Sequence, residues 1–263
     1  MDTNEPTLLV DLDTRGVATV TLNRPDAFNA MNEAMLDAFS EVLKSLAGHD
    51  ELRVLVVQAN GKAFCAGHDL KEMRAVPSDS YYKALFGRCS EVMMDLQRLP
   101  VPVIAKVQGI ATAAGCQLVA QCDLAVASTH AKFAVSGVNL GLFCATPSVA
   151  LTRNLGRKAA FEMLVTGAFI DAEQAVAKGL VNVAVSPEDL DSRTELLVEQ
   201  ILQKPQVALQ LGKALFYRQL ETDMSAAYVD ATTTMACNMM DESALEGVQA
   251  FIDKRKPNWR DDQ

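Results

Sequence analysis

Hydrophobic and polar residues alternate near the start of the chain with the period of a strand. Two apolar runs flank a polar turn at positions 14–16, and from Val17 to Leu22 small polar residues alternate with β-branched ones. Period-two alternation on both sides of a turn that contains glycine is typical of a β-hairpin. The segment is therefore predicted to form two antiparallel strands.

After Asn32 the period changes to that of a helix. Apolar residues recur at a spacing of three and four, which places them on one face of a predicted amphipathic helix. Either Asn29 or Asn32 can cap its N-terminus. The apolar positions are Met35, Phe39, Val42, Leu43 and Leu46.

A pattern of strand, turn, small-residue loop and helix then occurs twice. When Arg53–Gly67 and Val101–Gly115 are aligned without gaps, two glycines and two alanines coincide. Such a repeat predicts parallel strands whose following loops collect at one edge. Ligands in related architectures bind at the carboxyl ends of the strands, so the loops at 66–71 and 113–117 are expected to face each other.

The remaining chain changes from mixed elements to helices alone. Consecutive helices without strands begin at about position 205, and the last has a capping-box pattern at Ser243 and Glu246. The predicted elements are a strand at 124–128 and helices at 147–155, 158–165, 172–178, 205–220, 222–240 and 243–256.

These patterns predict a core at 1–204 and a C-terminal helical oligomerisation region at 205–263. Methionine and alanine residues recur at helical spacing in the middle C-terminal helix. Such a stripe suits internal packing or a subunit contact, and we favour an oligomer.

Composition narrows the possible functions. The 263 residues are 49% hydrophobic and 22% charged, and 24 basic against 33 acidic residues give a net charge of -9. An acidic chain is poorly suited to nucleic-acid phosphates. Because the acidic N-terminus lacks a signal or transit pattern, a cytoplasmic protein is expected. Polar residues interrupt the longest uncharged run, 133–152, so no membrane span is expected.

Metal chemistry is not indicated by the cysteine and histidine positions. The six cysteines include no C-x-x-C pair, and the three histidines do not lie at zinc-ligand spacing. Free, buried thiols and no metal site are therefore expected.

Small residues at two adjacent strand ends leave backbone N–H groups unobstructed. Two such groups directed at one point form an oxyanion hole, which stabilises the negative charge that grows on a carbonyl oxygen in the transition state. A helix that starts at Ala114 would strengthen the attraction through its dipole. The spacing alone equally allows that the small residues serve only the close packing of strand against helix.

Four longer motifs extend this interpretation: “AFCAGHDLKEM” from Ala63, “PVIAKVQGIATAAGCQLVAQCDLAVAS” from Pro102, “LVTGAFIDAEQAVAKGLVNVAV” from Leu164 and “EGVQAFIDKRKPNW” from Glu246. In this order they resemble the crotonase superfamily, also called the enoyl-CoA hydratase/isomerase family. The resemblance implies an α/β fold, a ClpP-like crotonase spiral of ββα repeats, with a C-terminal helical region that builds trimers and often hexamers. It also implies an acyl-CoA thioester substrate from fatty acid metabolism, with no cofactor beyond the coenzyme A of the substrate.

The resemblance assigns roles to individual positions. Family members hold the thioester oxygen on two backbone amides, which correspond by motif match to His68 and Ala114. The loop that wraps the adenine and pantetheine parts of CoA corresponds to Ala66, His68, Asp69, Leu70 and Lys71.

The chain departs from the family at both hydratase glutamates. Gln117 and Gly137 stand at those two positions. Hydration needs water activated toward Cβ and a proton delivered to Cα, and each general acid or base contributes about 10² to 10⁴ in rate. The oxyanion hole alone would retain about 10² to 10³. Hydration is therefore predicted to be weak or absent.

The reaction itself is left open, although a lyase-type enzyme of this family is favoured. Decarboxylation fits the loss of both glutamates, because the departing carboxylate generates the enolate without a protein base. Thioester hydrolysis lacks an acceptor for the proton of water, and isomerisation lacks a base at position 137. The alternative from another class is a non-catalytic acyl-CoA-binding protein.

Other polar side chains could take part, and each has a plainer interpretation. The His68 imidazole could titrate near neutrality or point to solvent. Cys144 could be a nucleophile or a buried, inert thiol. Asp69 and Glu72 are interpreted as capping or solvated carboxylates, and Asp123 as a structural one. The basic cluster Lys254–Lys256 either contacts CoA phosphates or is the solvated end of a helix.

Overall fold

The computed structural model describes residues 5–259, in which ten strands form two sheets. The strands are β1 (Leu8–Leu12), β2 (Val17–Leu22), β3 (Val54–Ala59), β4 (Ala63–Cys65), β5 (Val103–Val107), β6 (Ile110–Thr112), β7 (Leu124–Ser128), β8 (Lys132–Ala134), β9 (Ile170–Asp171) and β10 (Val183–Val185).

Helices follow and cover these strands. They are α1 (Glu33–Ala47), α2 (Leu70–Ala75), α3 (Asp79–Arg98), α4 (Ala114–Gln121), α5 (Ala145–Asn154), α6 (Arg157–Thr166), α7 (Ala172–Lys178), α8 (Leu190–Leu202), α9 (Gln206–Leu220), α10 (Met224–Met239) and α11 (Glu242–Ile252).

The predicted repeat appears as pairs of strands divided between the two sheets. The larger sheet has the order β1-β2-β3-β5-β7-β10, and the smaller has the order β4-β6-β8-β9. Strands β3, β5 and β7 are parallel in the first sheet, and β4, β6 and β8 are parallel in the second. Each turn of the chain therefore places one strand in each sheet before its helix, which confirms the α/β spiral of ββα units.

The N-terminal predictions are confirmed in detail. Strands β1 and β2 pair antiparallel as the expected hairpin. Helix α1 is capped by Asn32, whose side chain accepts a hydrogen bond from the Met35 N–H. Asn29 instead lies buried, in the left-handed region at φ 54°, and donates to the carbonyls of Asn60 and Ala63. It braces the turn before the first loop of the site.

The C-terminal helices form the predicted helical region. Neither α9 nor α10 has a fully buried residue in the isolated chain. The Met and Ala stripe of α10 is therefore only partly covered within one chain, because its alanines at 227 and 231 are half-buried and its methionines are exposed. Large apolar side chains are exposed along this region: Phe216, Leu220, Met224, Tyr228, Met235, Met240 and Phe251.

One capping prediction is wrong. Helix α11 begins one residue earlier than expected, and its cap is Asp241, which accepts a hydrogen bond from the Ser243 N–H. Glu246 is occupied elsewhere, because its carboxylate binds Arg255 and the backbone N–H of Asn258. The Asp241 carboxylate, two residues before Ser243, therefore has the capping role at the start of this helix that was expected of Ser243.

Helix α9 is attached to the core by a buried cation. The Lys213 Nζ donates to the carbonyl oxygens of Leu96 and Val101 at 3.0 and 2.9 Å and to Asp123 Oδ2 at 2.7 Å. Tyr217 donates to the other oxygen of Asp123 at 2.5 Å. Asp123 is therefore structural, as expected.

The long uncharged run at 133–152 is divided between β8, a short 3-10 turn and α5. Within residues 5–259 no helix is long and apolar enough to cross a membrane. The outer ends of the predicted parts, at 1–4 and 260–263, lie outside the described residues. The division at 204/205 remains a prediction.

Candidate active site

The two predicted loops lie in contact at the ends of β4 and β6. Thr112 Oγ1 donates to the Ala66 carbonyl at 2.9 Å. Gly67 adopts φ +95°, and a Cβ built there would lie 2.9 Å from the Ala113 Cβ and 3.4 Å from the Ala114 nitrogen. Only glycine combines this conformation with so close an approach. The loops at 66–71 and 113–117 therefore face each other as expected.

The first turn of α4 is held rigidly. Ala113 lies at φ 49° and ψ -117°, outside the regions that most non-glycine residues adopt. Its N–H donates to the Ala134 carbonyl at 3.0 Å, which ties the turn to β8. A Cβ on Gly115 would clash with the Cys65 carbonyl, so strand and helix meet without an intervening side chain. Ala114 is the first helical residue, and first-turn N–H groups have no partner within a helix.

The backbone of His68 is fixed by Met31. The Met31 N–H donates to the Gly67 carbonyl at 2.7 Å, and the Asp69 N–H donates to the Met31 carbonyl at 3.0 Å. These bonds lie on either side of His68 and do not use its own N–H. The two candidate donors, at 68 and 114, thus belong to backbone segments that are fixed on both sides.

The side chain of His68 is directed into the protein and not to solvent. Its ring meets the Phe86 ring edge to face at a centroid distance of 5.4 Å. Both ring nitrogens are buried without a hydrogen-bond partner among the described residues. Burial lowers the pKa of His68 to about 4, although the nearby Met31 backbone opposes the shift. The imidazole is neutral at pH 7, so it is a poor proton donor there.

The predicted CoA loop combines a fixed cap with exposed side chains. Asp69 caps α2 by accepting from the N–H groups of Lys71 and Glu72, and it pairs with Arg24 at 3.1 Å. Partial burial alone would raise the pKa of Asp69, but these hydrogen bonds bring it below its usual value. The exposed positions of the loop are Ala66, Leu70 and Lys71.

Gln117 lies on the first turn of α4 and is almost fully buried. Its side chain belongs to a residue only 3% exposed, and its Oε1 has no hydrogen-bond partner among the described residues. A buried acceptor without a partner costs about 1–3 kcal/mol. This amide can accept or donate a hydrogen bond, but unlike a carboxylate it cannot take up a proton at neutral pH.

Gly137 lies in the 3-10 turn Ser136–Leu140, where no side chain fits. A Cβ built on it would lie 2.5 Å from the Leu142 carbonyl oxygen and 2.7 Å from Cys144 Sγ. The Leu142 N–H closes the turn by donating to the Gly137 carbonyl at 3.0 Å. Position 137, to which the resemblance assigns the second hydratase glutamate, is therefore closed by the chain itself.

Cys144 immediately precedes α5 and is nearly buried. Burial raises the pKa of its thiol above the usual value, and a hydrogen bond with the Gly137 backbone opposes the rise only in part. Nucleophilic cysteines need a lowered pKa. The structure thus disfavours a resting thiolate at this position. All six cysteines are free, and only Cys237 is exposed.

Other candidates are engaged in local contacts. Glu72 accepts from the backbone N–H of Glu33 at 2.9 Å, which ties α1 to α2. In the basic cluster at 254–256, Arg255 is bound to Glu246. Among the described residues no group of three or more His, Cys, Asp or Glu side chains could hold a metal ion.

Three contributors to the site were not assigned to it from the sequence, and one of them, Asn29, was expected only as a possible helix cap. Asn29 braces the first loop, Phe86 receives the His68 ring, and the Leu142 carbonyl fills the space at Gly137. Asparagine beside a turn was a usable signal for Asn29. The other two are backbone or apolar groups brought in by α3 and by the segment before α5, and no local pattern marks them.

Comparison with known proteins gives the same family throughout the chain. A sequence model of the enoyl-CoA hydratase/isomerase family matches residues 13–262. Enoyl-CoA hydratase domain-containing protein 3 from rat is 43% identical over 97% of this chain and 85% of its own length, and the human protein is 42% identical. A crystal structure of an enoyl-CoA hydratase from Mycobacterium smegmatis is 65% identical, covers 97% of this chain and 99% of its own, and has a TM-score of 0.96. The crystal structure of the human domain-containing protein 3 covers 96% of this chain and 100% of its own, with 41% identity and a TM-score of 0.92.

These relatives correct the expected location. The rat, mouse and human proteins are mitochondrial, so the expectation of a cytoplasmic protein is wrong. It relied on the lack of a signal or transit pattern in the acidic first ten residues, of which positions 1–4 lie outside the described residues. The charge of so short a stretch does not determine the compartment in which a protein resides.

Proposed function

Because the chain belongs to the enoyl-CoA hydratase/isomerase family, we propose that it binds an acyl-CoA thioester and holds the thioester oxygen on the backbone N–H groups of His68 and Ala114. The close approach of the Gly67 backbone to Ala114, where a Cβ built on Gly67 would lie 3.4 Å from the Ala114 nitrogen, supports this role because it brings the two donor segments together. The dipole of α4 adds positive potential at Ala114. The proposal needs no cofactor beyond the CoA of the substrate.

The same proposal places CoA along the loop from Ala66 to Lys71. The exposed side chains of Leu70 and Lys71 are available to an apolar pantetheine and to phosphate oxygens. The Asp69 cap keeps this loop in one conformation, so little ordering cost is left for binding.

We further propose that hydration of enoyl-CoA is weak or absent. The observation that carries this conclusion is the closure of position 137 by the Leu142 carbonyl and Cys144 Sγ. With an amide at 117 and no side chain at 137, no carboxylate at these positions can take the proton from water or deliver the proton to Cα. The loss of two general acid or base groups, each worth about 10² to 10⁴ in rate, leaves little catalysis beyond the oxyanion hole.

The experiment combines binding with turnover. Calorimetry with acetyl-CoA and crotonyl-CoA should show saturable binding, whereas crotonyl-CoA should keep its enoyl absorbance at enzyme concentrations that suffice for a family hydratase. Binding without turnover supports the proposal. A kcat in the ordinary range of about 1 to 10³ s⁻¹ for crotonyl-CoA would show that another group replaces the missing glutamates.

Decarboxylation of a malonyl-type CoA thioester is a second candidate. It is favoured by the neutral amide of Gln117 and the absence of a side chain at 137, because a negative substrate carboxylate would be repelled by a glutamate at either place. Release of CO₂ from malonyl-CoA or methylmalonyl-CoA, followed by mass spectrometry, tests it directly. Free CoA would instead indicate thioester hydrolysis, and binding without any product would indicate a non-catalytic acyl-CoA-binding protein.

We also propose a homotrimer or a dimer of trimers. The exposed apolar side chains of α9, α10 and α11 support a subunit contact, because large apolar side chains exposed along consecutive helices are typical of protein–protein contacts. Sedimentation analysis should give a trimer or hexamer at micromolar concentration. A stable monomer would contradict this part of the proposal.

A further inference from the structure

An exposed aromatic residue precedes helix α1 in an unusual backbone conformation. Phe28 is 58% exposed, and its backbone lies in the left-handed region at φ 51°. Bulky residues rarely adopt this conformation, because the Cβ comes too close to the following carbonyl oxygen. With more than half of the residue in solvent, packing within residues 5–259 offsets little of this cost.

Hydrogen bonds hold Phe28 in this conformation. Its N–H donates to the Pro25 carbonyl at 3.0 Å. The next residue, Asn29, is also left-handed at φ 54°. The Asn29 side chain donates to the carbonyls of Asn60 and Ala63 at 2.8 and 2.9 Å. The ring is therefore carried by a fixed backbone, and a fixed group loses little entropy when it binds a ligand.

The same segment is bonded directly to the loop that we propose for CoA. The Ala66 N–H donates to the Phe28 carbonyl at 3.0 Å, and both residues are exposed. Arg24, at the start of the segment, pairs with Asp69 of the loop at 3.1 Å. Lys71 is exposed on the loop itself. An exposed ring and an exposed cation on joined segments match the two parts of an adenine nucleotide, a flat base and its phosphates.

We propose that the Phe28 ring stacks on the adenine base of the CoA substrate. This inference rests on the proposed acyl-CoA-binding function and adds to it a binding group that lies outside the loop from Ala66 to Lys71. Stacking on a ring suits adenine because a base has a π-face and needs no hydrogen bond from the protein for this contact. Strained residues are typical of sites that hold a ligand.

The ring contributes to affinity and takes no part in the chemistry at the thioester. The stacking of one base on an aromatic side chain corresponds to about fivefold to 150-fold in Kd. In calorimetry, F28G should weaken the binding of acetyl-CoA by a factor in this range. S-acetylpantetheine carries the thioester and the pantetheine without the adenine nucleotide, so wild type and F28G should bind it equally.

Stability separates the loss of the ring from damage to the fold. Glycine adopts the left-handed conformation without steric cost, so F28G should unfold at no lower temperature than wild type. F28N also tolerates this conformation and should lose affinity for acetyl-CoA as F28G does, whereas F28Y keeps a ring and should retain the affinity. F161A is the matched control, because it removes a ring of similar exposure, 63%, from α6 and should leave both affinities unchanged.

The possible failures are distinguishable. Equal binding of acetyl-CoA by wild type, F28G and F28N would overturn the stacking assignment alone. If F28G weakened acetyl-CoA and S-acetylpantetheine by the same factor, the ring would contact the pantetheine and not the adenine. A changed sedimentation coefficient of F28G would place the ring in a subunit contact and would also overturn the assignment. If wild type bound no acetyl-CoA, the proposed function and this inference would fail together.

Discussion

Replacement of Gly137 by alanine tests whether position 137 is closed. The added Cβ would lie 2.5 Å from the Leu142 carbonyl oxygen and 2.7 Å from Cys144 Sγ, both well inside van der Waals contact. The first neighbour is backbone, held by the hydrogen bond from the Leu142 N–H to the Gly137 carbonyl. The strain cannot be relieved by a side-chain rotation, so G137A should be destabilised by about 1–3 kcal/mol, the usual cost of overpacking.

The measurement is thermal and urea unfolding at one fixed protein concentration, because an oligomer has a concentration-dependent midpoint. For a chain of this size, about 1–3 kcal/mol corresponds to a midpoint lower by roughly 2–12 °C. G87A is the matched control, since a Cβ on Gly87 meets nothing within 4 Å in the middle of α3. Alanine in an exposed helix interior should instead stabilise by about 0.5–1 kcal/mol.

The corresponding test of activity uses the double variant Q117E/G137E, which has a glutamate at each position where the resemblance expects one. The second glutamate cannot enter unless the 142–144 segment moves, so the double variant should hydrate crotonyl-CoA no faster than Q117E and should unfold at lower temperature. A double variant that is as stable as wild type and gains hydration beyond Q117E would refute the closure argument. Equal stability of G137A and G87A would refute it at the level of packing.

Three other outcomes follow from buried groups. K213M should be destabilised by about 3–5 kcal/mol in urea unfolding, because it leaves Asp123 and two carbonyls without their buried cation. The control K83M should have nearly the wild-type free energy of unfolding, since Lys83 pairs with Asp79 in solvent. Burial lowers the pKa of His68 to about 4 from an ordinary 6.5, so its contribution to stability is complete above pH 6.5 and is lost as the pH falls toward 4. When the free energy of unfolding is measured against pH, H68F should therefore lose less stability in acid than wild type. Parallel curves would contradict the burial of this ring. Because α10 is proposed to lie in a subunit contact, a thiol reagent should modify Cys237 only after dilution below the assembly midpoint, and the five buried cysteines only after denaturation.

Regular periods in the sequence determine most of what could be predicted. The hairpin, helix α1 and the duplicated strand pairs depend on local alternation and on where glycines fall, so each could be inferred from a short window. The facing of the two loops also follows, since parallel strands end at one edge. Helix α8 was not predicted, although its buried positions, Leu190, Thr194, Val198 and Ile201, recur at the spacing of a helix and its acidic residues lie on the outer side.

Contacts between distant segments account for the parts that were not predicted. The direction of the His68 ring depends on Phe86 in α3, and an exposed or a buried imidazole is equally compatible with the sequence “AGHD”. The cap of α11 depends on a choice between two neighbouring polar residues, Asp241 and Ser243. In both cases the outcome is set by packing and hydrogen-bond geometry that no residue period encodes.

The packing around Gly137 shows why a position without a side chain does not leave an empty space. Protein interiors are close-packed, and a cavity the size of a carboxylate side chain would cost several kcal/mol. The chain instead brings the Leu142 carbonyl and the Cys144 thiol against the bare glycine. The proposed site, with two backbone donors, a neutral amide at 117 and no carboxylate at 137, can stabilise an enolate but has no carboxylate to activate water. We therefore expect the reaction among those in which the substrate itself generates the enolate.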